Sequence, residues 1–129
     1  SHTSLDELLA GAADGSYNWK SGQADENGFC DQITMSVKDH KITALQWDAV
    51  DKEGTGKRKL SEDGQYVMTE NGPLWFEQAD MLAEYLIENQ SEEGLLQETG
   101  YASDAVASVS IYAGGFLSAV KQCLLNGPE

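Results

Sequence analysis

The sequence predicts a small α+β fold in which an antiparallel β-meander packs against two longer helices. Three observations carry this. Residues 29–37 alternate, with Phe29, Asp31, Ile33, Met35 and Val37 on one face and Cys30, Gln32, Thr34 and Ser36 on the other, the period of a strand with one polar exception, Asp31. Residues 73–90 place Trp75, Gln78, Ala79, Leu82, Tyr85, Leu86 and Asn89 at helical spacing. Residues from Ile111 onwards do the same with Phe116, Leu117, Val120, Cys123 and Leu124. Strands followed by helices within 129 residues fit one sheet with helices on one face.

The elements follow in order. Ser4-Leu-Asp-Glu7 is a capping-box pattern ahead of Leu8 and Leu9, so a short helix is expected to end near Gly11. Asp14-Gly15 is a turn signal, and Ser16–Lys20 reads as a short strand. A polar loop over 22–28 leads to the 29–37 strand. Lys38-Asp-His-Lys41 then makes a hairpin turn, and Ile42–Val50 is the return strand. In it Thr43, Leu45 and Trp47 alternate with Ile42, Ala44 and Gln46. Residues 51–72 are rich in Gly, Lys, Glu and Asp. Tyr66, Val67 and Met68 supply apolar anchors, so this long segment reads as an ordered excursion over one side of the domain. Pro73 suits the first turn of the next helix. Ser91-Glu-Glu-Gly94 ends that helix, and Asn126-Gly-Pro128 ends the last one. Residues 14–126 are expected to form one domain, preceded by a linker segment, 1–13, that carries the short helix.

Composition narrows the function. The formal charge is −14, from 22 acidic and 8 basic residues, so nucleic-acid phosphates and anionic lipid would be repelled. Four of the eight basic residues (Lys52, Lys57, Arg58 and Lys59) cluster in one segment, a landing place for an anion or simply a solvated loop. The two histidines are His2, at the chain end, and His40, in the hairpin turn, where neither supports a general base. No His/Cys grouping has zinc spacing, and no segment is apolar for long enough to span a membrane. Cys30 and Cys123 are compatible with a disulfide or with two separate thiols. Ser1-His2 reads as a tag remnant, which leaves an upstream export signal or lipid anchor open.

The stretch Asp104-Ala-Val-Ala-Ser-Val-Ser110, followed by Ile111-Tyr-Ala-Gly-Gly-Phe116, is a hydroxyl-bearing turn leading into a helix. Backbone N–H groups and hydroxyls at a helix start hold a phosphate without any lysine. The competing reading is an N-cap serine on an ordinary helix.

Together these motifs bear a family resemblance. Asp14-Gly-Ser-Tyr17, the Ile33–Thr43 strand and hairpin, and the Asp104–Ser110 turn before the last helix resemble, in that order, the FMN-binding domains. Lys57–Tyr66, Gly72–Ala79 and Tyr85–Gln90 resemble one branch, the flavoprotein lipoproteins of Gram-positive extracellular electron transfer. The likeness spans roughly Asp14 to Leu125. It implies an FMN-binding-domain-like fold and an electron-transfer flavoprotein on an exported or cell-surface protein, lipid-anchored in its full-length form. A redox partner or membrane electron-transfer chain would exchange electrons with it. The implied FMN phosphate site is Asp104, Ser108, Val109, Ser110 and Ile111, with the flavin ring against Tyr66, Met68 and Trp75. Ser110 stands where covalent members carry the threonine that a flavin transferase esterifies to FMN. His40 replaces the hairpin glycine, and Ala107-Ser-Val-Ser110 replaces Ser-Gly-Ala-Thr. The added side-chain bulk at Ser108 and Val109, where the family has Gly and Ala, crowds the approach of a phosphate. The alternative is therefore a member that kept the fold, lost the flavin and serves as a binding or assembly module.

Overall fold

The computed structural model describes residues 3–66, 72–106 and 108–129. Its elements are α1 (Leu5–Ala10), β1 (Gly15–Lys20), β2 (Cys30–Lys38), β3 (Lys41–Val50), α2 (Lys57–Glu62), α3 (Trp75–Asn89), a 3-10 turn (Asp104–Val106) and α4 (Gly114–Asn126). The strands form an antiparallel meander with β2 in the centre. On one face α3 packs over β3, and α4 packs over β1 and β2. This is the α+β architecture read from the sequence.

The β2–β3 hairpin turns through Asp39 and His40, both in the left-handed region at φ 52° and 64°. Paired left-handed residues match the twist of the flanking strands, but they are strained without glycine. Two contacts hold them. Asp39 N–H donates to Asp14 Oδ1 (2.9 Å), and His40 Nδ1 lies 3.1 Å from the Leu9 carbonyl oxygen. Position 40 thus keeps the glycine-like conformation with a histidine.

Strict alternation fails at one point of β3. Ser36 pairs with Ala44 but Val37 pairs with Ile42, so Thr43 is an extra, bulged residue. The bulge changes the phase of the strand. Ile42, rather than Thr43, therefore shares the core face with Leu45, Trp47 and Ala49. The Gln90 side chain, from the end of α3, secures this corner: its Oε1 accepts from Ile42 N–H (2.7 Å) and its Nε2 donates to the Ile42 carbonyl (2.8 Å).

The core comprises Tyr17, Ile33, Met35, Val37, Trp47, Trp75, Leu82, Leu86, Phe116 and Val120 with their neighbours. Leu5 and Leu9 of α1 are buried in the same cluster. The first helix therefore packs its apolar face on the core. Ser4 Oγ accepts from Glu7 N–H at the start of α1, and the Leu5 N–H donates to Glu92 (2.6 Å), which also pairs with Lys121 of α4 (3.0 Å). Pro73 lies before α3, whose N-cap is Leu74. Asn89, expected on the buried stripe, is exposed in the last turn of α3.

The cysteines are unpaired. Cys30 points away from the core face of β2, whereas Cys123 on α4 lies beneath it, 4.0 Å from the Ile33 carbonyl oxygen. The sheet separates them. Burial, followed by the nearby Glu129 charge, pushes the Cys123 thiol up to about 11, so it stays protonated as a small core residue.

Candidate functional site

The excursion after β3 is tightly built. Asp51 Oδ1 accepts from the N–H groups of Glu53 and Thr55, and Val50 bridges to Gly56. Asp48 Oδ1 accepts from Arg58 N–H (3.1 Å), placing a carboxylate at the start of α2. A side chain at Gly56 would bring a Cβ within 2.5 Å of Asp48 Oδ2, so glycine permits this approach. Ser61 on α2 accepts from Phe76 N–H at the start of α3 (3.2 Å).

One helical turn then sends the basic cluster three ways. Arg58 makes a two-point pair with Asp80 on α3 (2.9 and 3.1 Å) and also donates to the Trp47 carbonyl. Lys59 is out in solvent beside Asp63. Lys57 turns inward and is only 9% exposed. Its Nζ sits over three rings, 4.6 Å from the Tyr66 centroid and 5.1 Å from those of Phe29 and Trp75. It forms no ion pair or hydrogen bond with any described residue.

Lys57 lines a cavity of about 550 Å³. Its walls come from the 25–27 loop, from Asp31, Trp47 and Ala49 of the sheet, from Tyr66 and Trp75, and from Tyr101, Ser110, Ile111, Tyr112 and Gly115. The volume falls within the range of small-molecule sites. Beneath it Trp47 packs on Trp75 (5.0 Å between centroids) and on Phe116 (5.1 Å). At its mouth Tyr101 and Tyr112 meet edge to face at 5.3 Å, each about half exposed.

Asp31 is the polar exception of β2, and the register explains it. It pairs with Ala49 on the core face, where the helices leave the cavity uncovered. Trp47 Nε1–H donates to its Oδ1 (3.0 Å). Burial holds the Asp31 carboxyl above its ordinary value; the Trp47 hydrogen bond opposes this, Asp25 adds to it, and the Lys57 charge opposes it.

The 95–113 segment closes the remaining side. Gly100, at φ 90°, lies under the Tyr112 ring, and its carbonyl accepts from Ala113 and Gly114 N–H at the start of α4 (3.1 and 2.9 Å). That helix begins at Gly114 with Ala113 as its N-cap. The helix therefore starts later than Ile111, and Ser110 is not its cap. Ser110 and Ile111 N–H instead converge on one oxygen, Gln78 Oε1 of α3, at 2.7 and 3.2 Å. Gln78 is buried, and its Nε2 donates to the Pro73 carbonyl (3.2 Å). Upstream in the turn, Val109 N–H bonds to Val106, Val106 N–H to the Ser103 carbonyl, and Ala105 N–H to Ser103 Oγ.

Of the residues singled out from the sequence, Tyr66, Trp75, Ser110 and Ile111 line this one cavity. Trp75 is 2% exposed and is as much core as wall. Asp104 and Ser108 are exposed outside the lining, and Val109 is buried. Met68 lies outside the described residues. Sequence reasoning missed Trp47, Tyr101, Tyr112 and the role of Gln78. Asp31 carried a signal, as the lone carboxylate on an apolar strand face. The tyrosines carried none, because no periodicity marks a residue in an irregular segment.

No protein-family model matches the chain, and no curated protein matches it. Two solved structures are similar. A crystal structure of a Clostridium perfringens protein is 22% identical over 90% of this chain and 88% of that one, with a TM-score of 0.61, a likeness of fold. A Clostridium thermocellum protein, solved in solution by NMR, is 31% identical over 88% of this chain and 90% of its own, with a TM-score of 0.62. At that identity over nearly the whole of both chains, the present protein belongs to the same family as the Clostridium thermocellum protein.

Proposed function

We propose that the chain is a flavin-binding electron-transfer domain of an exported or cell-surface protein, taking FMN in the cavity beside Lys57. The observation that carries this reading is the meeting of Tyr66, Trp75, Ser110 and Ile111, from three separate stretches, around one aromatic-walled space of about 550 Å³. A flat ring system gains from burial against Trp47, Trp75 and Tyr66. The phosphate would meet the Ser110 hydroxyl and the start of α4 at Gly115, the turn after the Ala113 and Gly114 N–H groups that Gly100 takes. When bound, the flavin supplies the redox chemistry, and the protein orients it and tunes its potential. A redox partner or membrane electron-transfer chain would exchange electrons with it. Esterification of Ser110 by a flavin transferase would first release its hydroxyl from the Gln78 carboxamide, 3.4 Å away.

One observation favours the second reading, a flavin-free binding or assembly module. Gln78 Oε1 already fills the Ser110 and Ile111 donors that a phosphate oxygen would otherwise take. Titration with FMN, followed by flavin fluorescence and visible absorption, decides between them. Saturable binding that weakens at least about tenfold in Trp75→Ala supports the flavin reading. A protein that takes up no FMN, alone or co-produced with a flavin transferase, favours the second. Intact mass separates covalent from non-covalent loading.

A further inference from the structure

Lys57 is the least accounted-for charged group among the described residues. The lysine is nine-tenths buried, and its ammonium has no carboxylate or carbonyl partner among the described residues and meets solvent only through the cavity it lines. Its three ring contacts satisfy the charge on the sides facing Phe29, Tyr66 and Trp75. They supply no acceptor for its N–H donors, which belong to a side chain lining the cavity.

Asp31 lines the same cavity and has the reverse need. Its Oδ1 is taken by Trp47, and the carboxylate receives no other hydrogen bond from a described residue. An acceptor and a donor are therefore presented to one space by side chains on rigid supports. Asp31 sits in the central strand, and Lys57 sits on a helix fixed by Asp48, Arg58 and Ser61. Two opposite charges that line one cavity without pairing leave room for a ligand edge carrying the complementary groups.

We propose that Lys57 and Asp31 together read the edge of a cyclic imide, Lys57 Nζ donating to a ring carbonyl and Asp31 accepting the adjacent ring N–H. This rests on the flavin reading and names the part of the ring that enters first, the pyrimidine end with its N–H between two carbonyls. The orientation leaves the opposite, apolar end of the ring towards the exposed Tyr101 and Tyr112. Asp31 is the group that makes the site demand an N–H, since a carboxylate left facing an N-methyl group loses its bond and stays desolvated. Lys57 makes it demand an oxygen.

The test compares lumiflavin with 3-methyllumiflavin, which differ in that single N–H and carry no phosphate. Wild-type protein is expected to bind lumiflavin at least about tenfold more tightly, and Asp31→Ala is expected to bind the two equally. Lys57→Met, which keeps the aliphatic stem between the rings, is expected to weaken both by a similar factor. Folding of each variant is checked by circular dichroism. Equal affinity of the wild type for the two flavins overturns the proposal while leaving the flavin reading intact. Failure of both lumiflavin and FMN to bind the wild type overturns the two together. Because the first comparison uses only the wild type, it holds even if a variant does not fold.

Discussion

The 51–66 excursion and the 95–113 segment wall the same cavity in opposite ways. The first holds its backbone with local carboxylates, Asp48 and Asp51, and leaves a buried cation with no carboxylate or carbonyl partner among the described residues. The second turns its converging amides away from the space and closes them on Gln78. Both are irregular, polar stretches joined to helices. Among the described residues, only the first leaves a buried charge without a carboxylate or carbonyl partner. Buried polar groups that a fold needs for itself are paired; one that stays unpaired costs stability and points to a ligand.

The largest expected effect breaks the closed side. Gln78→Leu removes the acceptor shared by Ser110 and Ile111 and leaves two part-buried N–H groups without one. Urea unfolding is expected to show a loss of about 2–3 kcal/mol. A change under 0.5 kcal/mol would mean that water replaces the carboxamide and that the turn is open to a ligand after all.

A smaller effect sharpens the other side, by contrasting neighbours in one basic cluster. Arg58→Met breaks the two-point pair with Asp80 and the bond to the Trp47 carbonyl, and is expected to cost about 1–2 kcal/mol. Lys57→Met removes a charge that meets three rings but no carboxylate or carbonyl among the described residues, and is expected to change ligand-free stability by less than about 1 kcal/mol. Equal losses in the two would show that the ring contacts hold Lys57 as firmly as an ion pair holds Arg58.

The smallest effect is a pH dependence. The Asp31 carboxyl is raised in the folded state, chiefly by burial, so the folded chain binds its proton more tightly than the unfolded chain does. Stability from this group is therefore present below the unfolded value near 3.8 and falls as pH rises through the folded value. Asp31→Asn is expected to flatten that part of the stability–pH curve, measured by thermal unfolding at a series of pH values. An unchanged curve would mean that solvent in the cavity hydrates the carboxylate fully.

Much of the fold was legible in the chain. Alternation over 29–37 marked β2 because each residue's side of a strand is dictated by its position alone. The stripes on α3 and α4 were legible for the same local reason. The errors lay where one distant contact outweighs a pattern. The Thr43 bulge, held at Ile42 by Gln90, inverted the phase of β3, and Gly100 set the start of α4 in place of Ser110. The site was half legible. Tyr66, Trp75, Ser110 and Ile111 converge, but the expectation that the 104–111 amides face a ligand meets Gln78, thirty-two positions upstream of Ser110.

By itself the sequence determined which faces are apolar, where the chain turns, that a cluster of cations interrupts a strongly acidic chain, and that one carboxylate intrudes on a buried strand face. These are consequences of order and spacing along a strand or a helix. Only the tertiary structure decided that Lys57, rather than Arg58 or Lys59, enters the cavity, that Asp31 and Trp47 meet it there, and that Gln78 takes the amides of the hydroxyl-bearing turn. Those outcomes depend on which neighbour is close enough to satisfy a buried polar group, and only the packing of the whole chain brings such neighbours together.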